Sequence, residues 1–193
     1  MEEEPEIILP PNSSSHFPPN LTQALDLETQ GFYCKAIDLY ETILSHSKSS
    51  PDLYPPLLRL GRLYRKICRY SNALDCFNKA LNLKLTVVSQ ESQEVVPVLL
   101  NIAETETQLA KYREASAKLD LCKQILESGE HKEEATNEKA SLYKYTAILW
   151  QQRGQDYKAL EAIQKTLEMQ SKFLGENDIE FVETYLILGN IHL

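Results

Sequence analysis

The chain has 193 residues and a net charge of −8, with 42% hydrophobic and 25% charged residues. These are ordinary globular values, and the apolar content suffices for a sizeable core. The negative balance works against general nucleic-acid binding, which rests on neutralising phosphates with Lys and Arg. No apolar run approaches the ~20 residues that a membrane-spanning helix needs. The start, MEEEPEIILPP, is acidic where a secretory leader is basic.

Residues 1–19 hold five of the nine prolines and the run SSS, with no helical period. They are expected to form an acidic Pro/Ser tail. From residue 20 onward, helical stretches alternate with short breaks. Three phrases nearly repeat: YCKAIDLYETIL at 33–44, YSNALDCFNKAL at 70–81 and YKALEAIQKTL at 157–167. Aligning their alanines with a fourth gives Ala36, Ala73, Ala115 and Ala159, at intervals of 37, 42 and 44 residues. An aromatic residue precedes each alanine, and Tyr40, Phe77, Leu119 or Ile163 follows four positions later. That spacing places a small and a large side chain on one helix face packed on a neighbour.

The second unit is the most regular. Leu57, Leu60, Gly61 and Tyr64 form one apolar stripe upstream of Ala73. Gly61 in mid-helix costs about 1 kcal/mol against alanine, so a close helix approach is expected there. Pro55 and Pro56 suit the first turn of that helix, where an N–H is not needed. Charge is uneven along the chain. Residues 1–50 carry −6, residues 51–90 carry +5 and residues 91–193 carry −7.

Leu57, Leu60, Gly61, Tyr64, Tyr70, Ala73, Phe77 and Ala80 resemble the tetratricopeptide-repeat (TPR) pattern. Leu85 stands where that pattern usually closes with proline, Gln23 where the first unit would carry Leu, and Glu106 where the third would carry an aromatic. The 42- and 44-residue intervals and the stretch SKFLGENDIEFVETYLILGNIHL resemble the longer repeats of the kinesin-light-chain class. The resemblance implies an all-α fold: an α-solenoid of antiparallel helix pairs wound as a right-handed superhelix with a concave inner face. The expected units are 20–50, 54–87, 96–130, 139–173 and a half repeat at 178–193.

No Gly-rich phosphate loop, HExxH or CxxC is present, and His16, His46, His131 and His192 lie in separate segments. Cys34, Cys68, Cys76 and Cys122 read as reduced core thiols of a cytoplasmic protein. EHKEEATNEKA reads as a solvated helix start. No enzymatic activity, metal or other cofactor is expected.

The resemblance implies that first-helix residues line the groove. The expected peptide-binding set is Leu58, Arg62, Arg65, Lys66, Glu104, Gln108, Tyr143, Trp150, Gln151 and Asn190. Arg62, Arg65 and Lys66 would oppose acids, while Tyr143 and Trp150 would share a neighbouring wall. Leu58 and Arg62 stand where TPR domains that clamp chaperone tails carry Lys and Asn. The expected function is a protein–protein interaction scaffold that binds an acidic-apolar partner peptide, with no nucleic acid and no membrane insertion. The alternatives are a structural subunit or fragment of a larger TPR assembly, or a non-catalytic regulatory subunit of an enzyme or motor complex. Leu188 and its neighbours are expected to form an apolar edge capable of self-association.

Overall fold

The structure, a computed structural model, describes residues 19–46, 51–128, 136–173 and 179–191. The proposed tail lies outside them, apart from Pro19, as do His16, His131 and His192. Among the described residues there are nine α-helices and no strand. They are α1 (Pro19–Thr29), α2 (Tyr33–His46), α3 (Tyr54–Lys66), α4 (Tyr70–Leu85), α5 (Val96–Gln108), α6 (Tyr112–Ser128), α7 (Asn137–Gln152), α8 (Asp156–Phe173) and α9 (Ile179–Ile191). Each helix packs mainly on its neighbours in the chain, and α5 also packs on α7. This nearest-neighbour packing is that of an α-solenoid.

The helix-to-helix turns show why the pairs recur. Gly31, Cys68, Ala110 and Gly154 adopt φ values of +84°, +59°, +57° and +66°. Each stands five residues before one of the aligned alanines. At each turn the next amide reaches back: Phe32 N to Leu27 O, Arg69 N to Tyr64 O, Lys111 N to Glu106 O and Gln155 N to Trp150 O, at 2.8–2.9 Å. The positive-φ residue itself donates to Glu28, Arg65, Thr107 or Gln151. This pair of bonds is the Schellman closure, which satisfies the last carbonyls of a helix and reverses the chain. Glycine reaches that conformation without strain; Cys68 and Ala110 hold it against the Cβ penalty.

Packing follows from the same register. Ala36, Ala73, Ala115 and Ala159 are all fully buried, as are Tyr40, Phe77 and Ile163 four positions on. A Cβ on Gly61 would lie 2.5 Å from Phe77 Cε1, so the glycine admits the ring of its partner helix. Pro55 and Pro56 occupy the start of α3. The core is segmented along the array. One cluster joins α1–α4 with Val98 and Ile102 of α5, a second centres on α5–α7 and a third joins α7–α9.

Two of the four thiols are not in the core. Cys76 and Cys122 are buried, and burial pushes them up to about 11 and about 12. Cys34 and Cys68 are exposed. Cys34 lies on the outward side of α2, and Cys68 sits at the turn. Thr136 caps α7 by accepting from Lys139 N at 3.3 Å, which accounts for the described end of the Glu-rich stretch.

Candidate interaction surfaces

The odd-numbered helices adjoin along one face. A cavity of about 340 Å³ opens there. Arg62 and Arg65 of α3 form one side, and Pro97, Leu100 and Asn101 of α5 form the floor. Asn137, Glu138, Ser141 and Tyr145 of α7 close the other side.

Charge runs across this face from helix to helix. Arg65 Nη1 lies 2.6 Å from Glu104 Oε2, an ion pair whose geometry is not that of an aligned hydrogen bond. The same nitrogen donates to Asn101 Oδ1 at 3.1 Å, and Asn101 Nδ2 donates to Pro97 O at 2.6 Å. Burial raises the Glu104 carboxyl above its ordinary range, opposed by Arg65, by a hydrogen bond from Tyr145 and by Lys144. Burial likewise raises the Tyr145 hydroxyl, reinforced by the Glu104 charge. Lys144 Nζ then reaches Glu183 Oε2 of α9 at 2.8 Å. Arg62 is exposed and makes no ion pair among the described residues. Lys66 turns toward the first unit, 4.8 Å from the centre of the Tyr33 ring. Leu58 packs against the first core cluster.

Arg62, Arg65 and Glu104 of the expected set are therefore brought together. Gln108 and Asn190 are exposed and do not line this cavity. Gln151 is half-buried further along α7. Tyr143 and Trp150 do not share the wall with the arginines. They line a separate cleft of about 300 Å³ between α6, α7 and α8.

The physical reason is a slip of one residue. Counting back from the fully buried alanines, Leu57 and Tyr64 stand sixteen and nine residues before Ala73. The residues at those offsets from Ala159 are Tyr143 and Trp150. Both therefore face their own repeat's second helix. The matching odd-face positions are Ser141, Lys144, Ile148, Gln151 and Gln152. One residue rotates a helical side chain by about 100°, enough to change faces. Sequence reasoning missed Tyr145, Asn101, Glu138 and Ser141; the alanine offset would have placed Ser141.

The two clefts of this kind match position by position. Between the first and second units Glu41, Leu44, Leu57, Leu60, Tyr64, Asn72, Asp75, Cys76 and Lys79 line a space of about 270 Å³. Their counterparts two units on are Asp120, Lys123, Tyr143, Thr146, Trp150, Lys158, Glu161, Ala162 and Lys165, all lining the larger cleft. The Tyr64 hydroxyl donates to Glu41 Oε1 across the first cleft. In the third unit Glu106 takes the aromatic's place. Its Oε2 is buried without a hydrogen-bond partner among the described residues, and burial raises its carboxyl.

No group of three or more His, Cys, Asp or Glu among the described residues is placed to hold a metal ion. None of the described helices is long and apolar enough to cross a membrane.

Neither a protein-family model nor a curated relative matches the sequence. Solved structures do match. BtubC (BKLC) from P. vanneervenii superposes with a TM-score of 0.67 at 22% identity, over 88% of this chain and 68% of its own. The nearly identical TPR-like repeats of a Podosopora anserina protein described as a kinesin light chain give 0.66 at 15% identity, over 90% and 83%. MamA gives 0.56 at 19% identity, over 88% and 82%. With its recurring Schellman turns, small-residue crossings and nearest-neighbour packing, the chain has the fold of a tetratricopeptide-repeat array.

Proposed function

We propose that this chain is a non-catalytic interaction scaffold, and that its odd-helix face receives an extended partner segment with an acidic residue opposite Arg62. The carrying observation is the combination on one face of an exposed arginine without an ion-pair partner among the described residues and a cavity floored by Pro97 and Leu100. Arg65 is already committed to Glu104, so it sets the wall rather than meeting the ligand charge. Arginine is over-represented among the residues that dominate interface energetics. The test is fluorescence polarisation with a labelled Glu-rich peptide. Arg62→Glu is expected to weaken binding about fivefold or more, and raised salt should weaken it as well. Equal affinity for wild type and variant at low salt would refute the assignment. Arg62 is the appropriate site because reversing Arg65 would set a second carboxylate against buried Glu104.

A second reading, self-association, has its own observation. Val182, Tyr185 and Leu186 on α9 are 56%, 56% and 64% exposed, and the Phe181 and Tyr185 rings stack at 6.3 Å. Analytical ultracentrifugation is expected to show a mass that rises with concentration and reverts to monomer in Leu186→Glu. A wild-type chain that stays monomeric at high concentration removes this reading.

A further inference from the structure

We propose that the cleft between α6, α7 and α8 is a second docking surface, and that its occupant is an extended acidic peptide bearing one large apolar side chain. This surface is on the face opposite the cavity at Arg62 and does not depend on the function proposed for that cavity.

The comparison within the chain carries the inference. Both clefts have nearly the same volume, but their chemistry differs. In the second unit the aromatic tip is satisfied: Tyr64 is 4% exposed and bonded to Glu41. In the fourth unit an indole replaces the phenol, and Asp120, one methylene shorter, replaces Glu41. That bridge is gone. Neither the Trp150 indole N–H nor the Tyr143 hydroxyl has a hydrogen-bond partner among the described residues, and both rings are half-buried. Tryptophan and tyrosine so placed offer apolar area and a donor at the same point.

Charge selects the partner. Lys158 Nζ lies 4.5 Å from the centre of the Trp150 ring, and the Arg153 guanidinium lies 4.9 Å from it. Neither cation forms an ion pair among the described residues. Each cation beside the indole is therefore open to a ligand carboxylate, which would add a charge-assisted contact next to the ring. Below them, Leu119, Leu142 and Leu149 supply an apolar floor. Room of about 300 Å³ suits one or two large side chains rather than a whole helix. Asp120 on the opposite rim has no ion-pair partner among the described residues and can accept a backbone N–H from an extended ligand. The expected ligand therefore places an acid at Lys158 and Arg153, with a Leu- or Phe-sized side chain beside it.

Trp150 is the only tryptophan, so its emission reports on this cleft alone. The probe is acetyl-Glu-Glu-Leu-Glu-amide, titrated while the indole emission is followed. A saturable spectral change is expected. Arg153→Glu/Lys158→Glu should weaken it about tenfold or more, since both substitutions reverse a charge at the contact. Arg62→Glu should leave the titration unchanged. Both Arg153 and Lys158 are exposed, and circular dichroism checks that the variant keeps its helices. The proposal is overturned by no saturable change at millimolar peptide. It is equally overturned if the Lys-for-Glu peptide acts as well as the acidic one, or if Arg62→Glu abolishes the signal.

Discussion

Ala73→Trp is expected to unfold the central part of the array or lower its stability by at least ~3 kcal/mol, at the upper end of what overpacking a core costs. Ala73 is fully buried where α4 crosses α3, on the same face of α4 as Phe77, which already fills the space opened by Gly61. An indole there has nowhere to go without separating the two helices. The neighbouring Ser71 is exposed, and Ser71→Trp should change stability by no more than ~0.5 kcal/mol, as is usual for surface substitutions. The measurement is thermal and urea unfolding followed by helical circular dichroism. An unchanged midpoint for Ala73→Trp would show that the α3–α4 crossing lies elsewhere.

Arg65→Leu is expected to cost about 3 kcal/mol or more at pH 8, the scale for removing one partner of a largely buried ion pair. Glu104 is left with a desolvated carboxylate; its side chain is 15% exposed and that of Arg65 is 20% exposed. Arg65→Leu/Glu104→Leu should recover most of the loss, because two apolar side chains need no compensation. The deficit should also depend on pH. Burial already raises the Glu104 carboxyl in the folded chain, and Arg65 opposes that rise. Without Arg65 the rise is larger. Between the ordinary carboxylate range and the raised folded value, the folded state holds more proton than the unfolded one, so stability falls as pH rises through that interval. Acidification to pH 5 should therefore narrow the gap between wild type and Arg65→Leu. An equal gap at pH 5 and pH 8 would show that Glu104 is not the group left unpaired.

The fold was legible because its determinants are local and repeat. Small residues at Ala36, Ala73, Ala115 and Ala159, each followed by a large one, mark helix crossings that the structure buries completely. Gly31 and Gly154 mark turns on their own; Cys68 and Ala110 do the same work without a glycine signal, so those turns are evident only from the spacing. The site was less legible. In α7 the pairs Leu142/Leu149 and Tyr143/Trp150 both recur seven residues apart, and both are apolar. Leu142 and Leu149 are buried in the α5–α7 core cluster and reach only the floor of the even-helix cleft, while Tyr143 and Trp150 stand half-buried in its wall. Hydrophobicity alone does not separate two adjacent stripes; the distance to Ala159 does. Arg65 shows another limit. Its charge is visible in the sequence, but its commitment to Glu104, 39 residues away, depends on how the odd helices abut.

The contacts Arg65–Glu104 and Lys144–Glu183, with Tyr145 beside Glu104, tie four successive odd helices together. Glu104 of α5 takes part in two of these contacts, with Arg65 of α3 and with Tyr145 of α7, so one carboxylate bridges three helices. It is the rivet of the odd face: its loss would unfasten α3 and α7 from α5 at a single point.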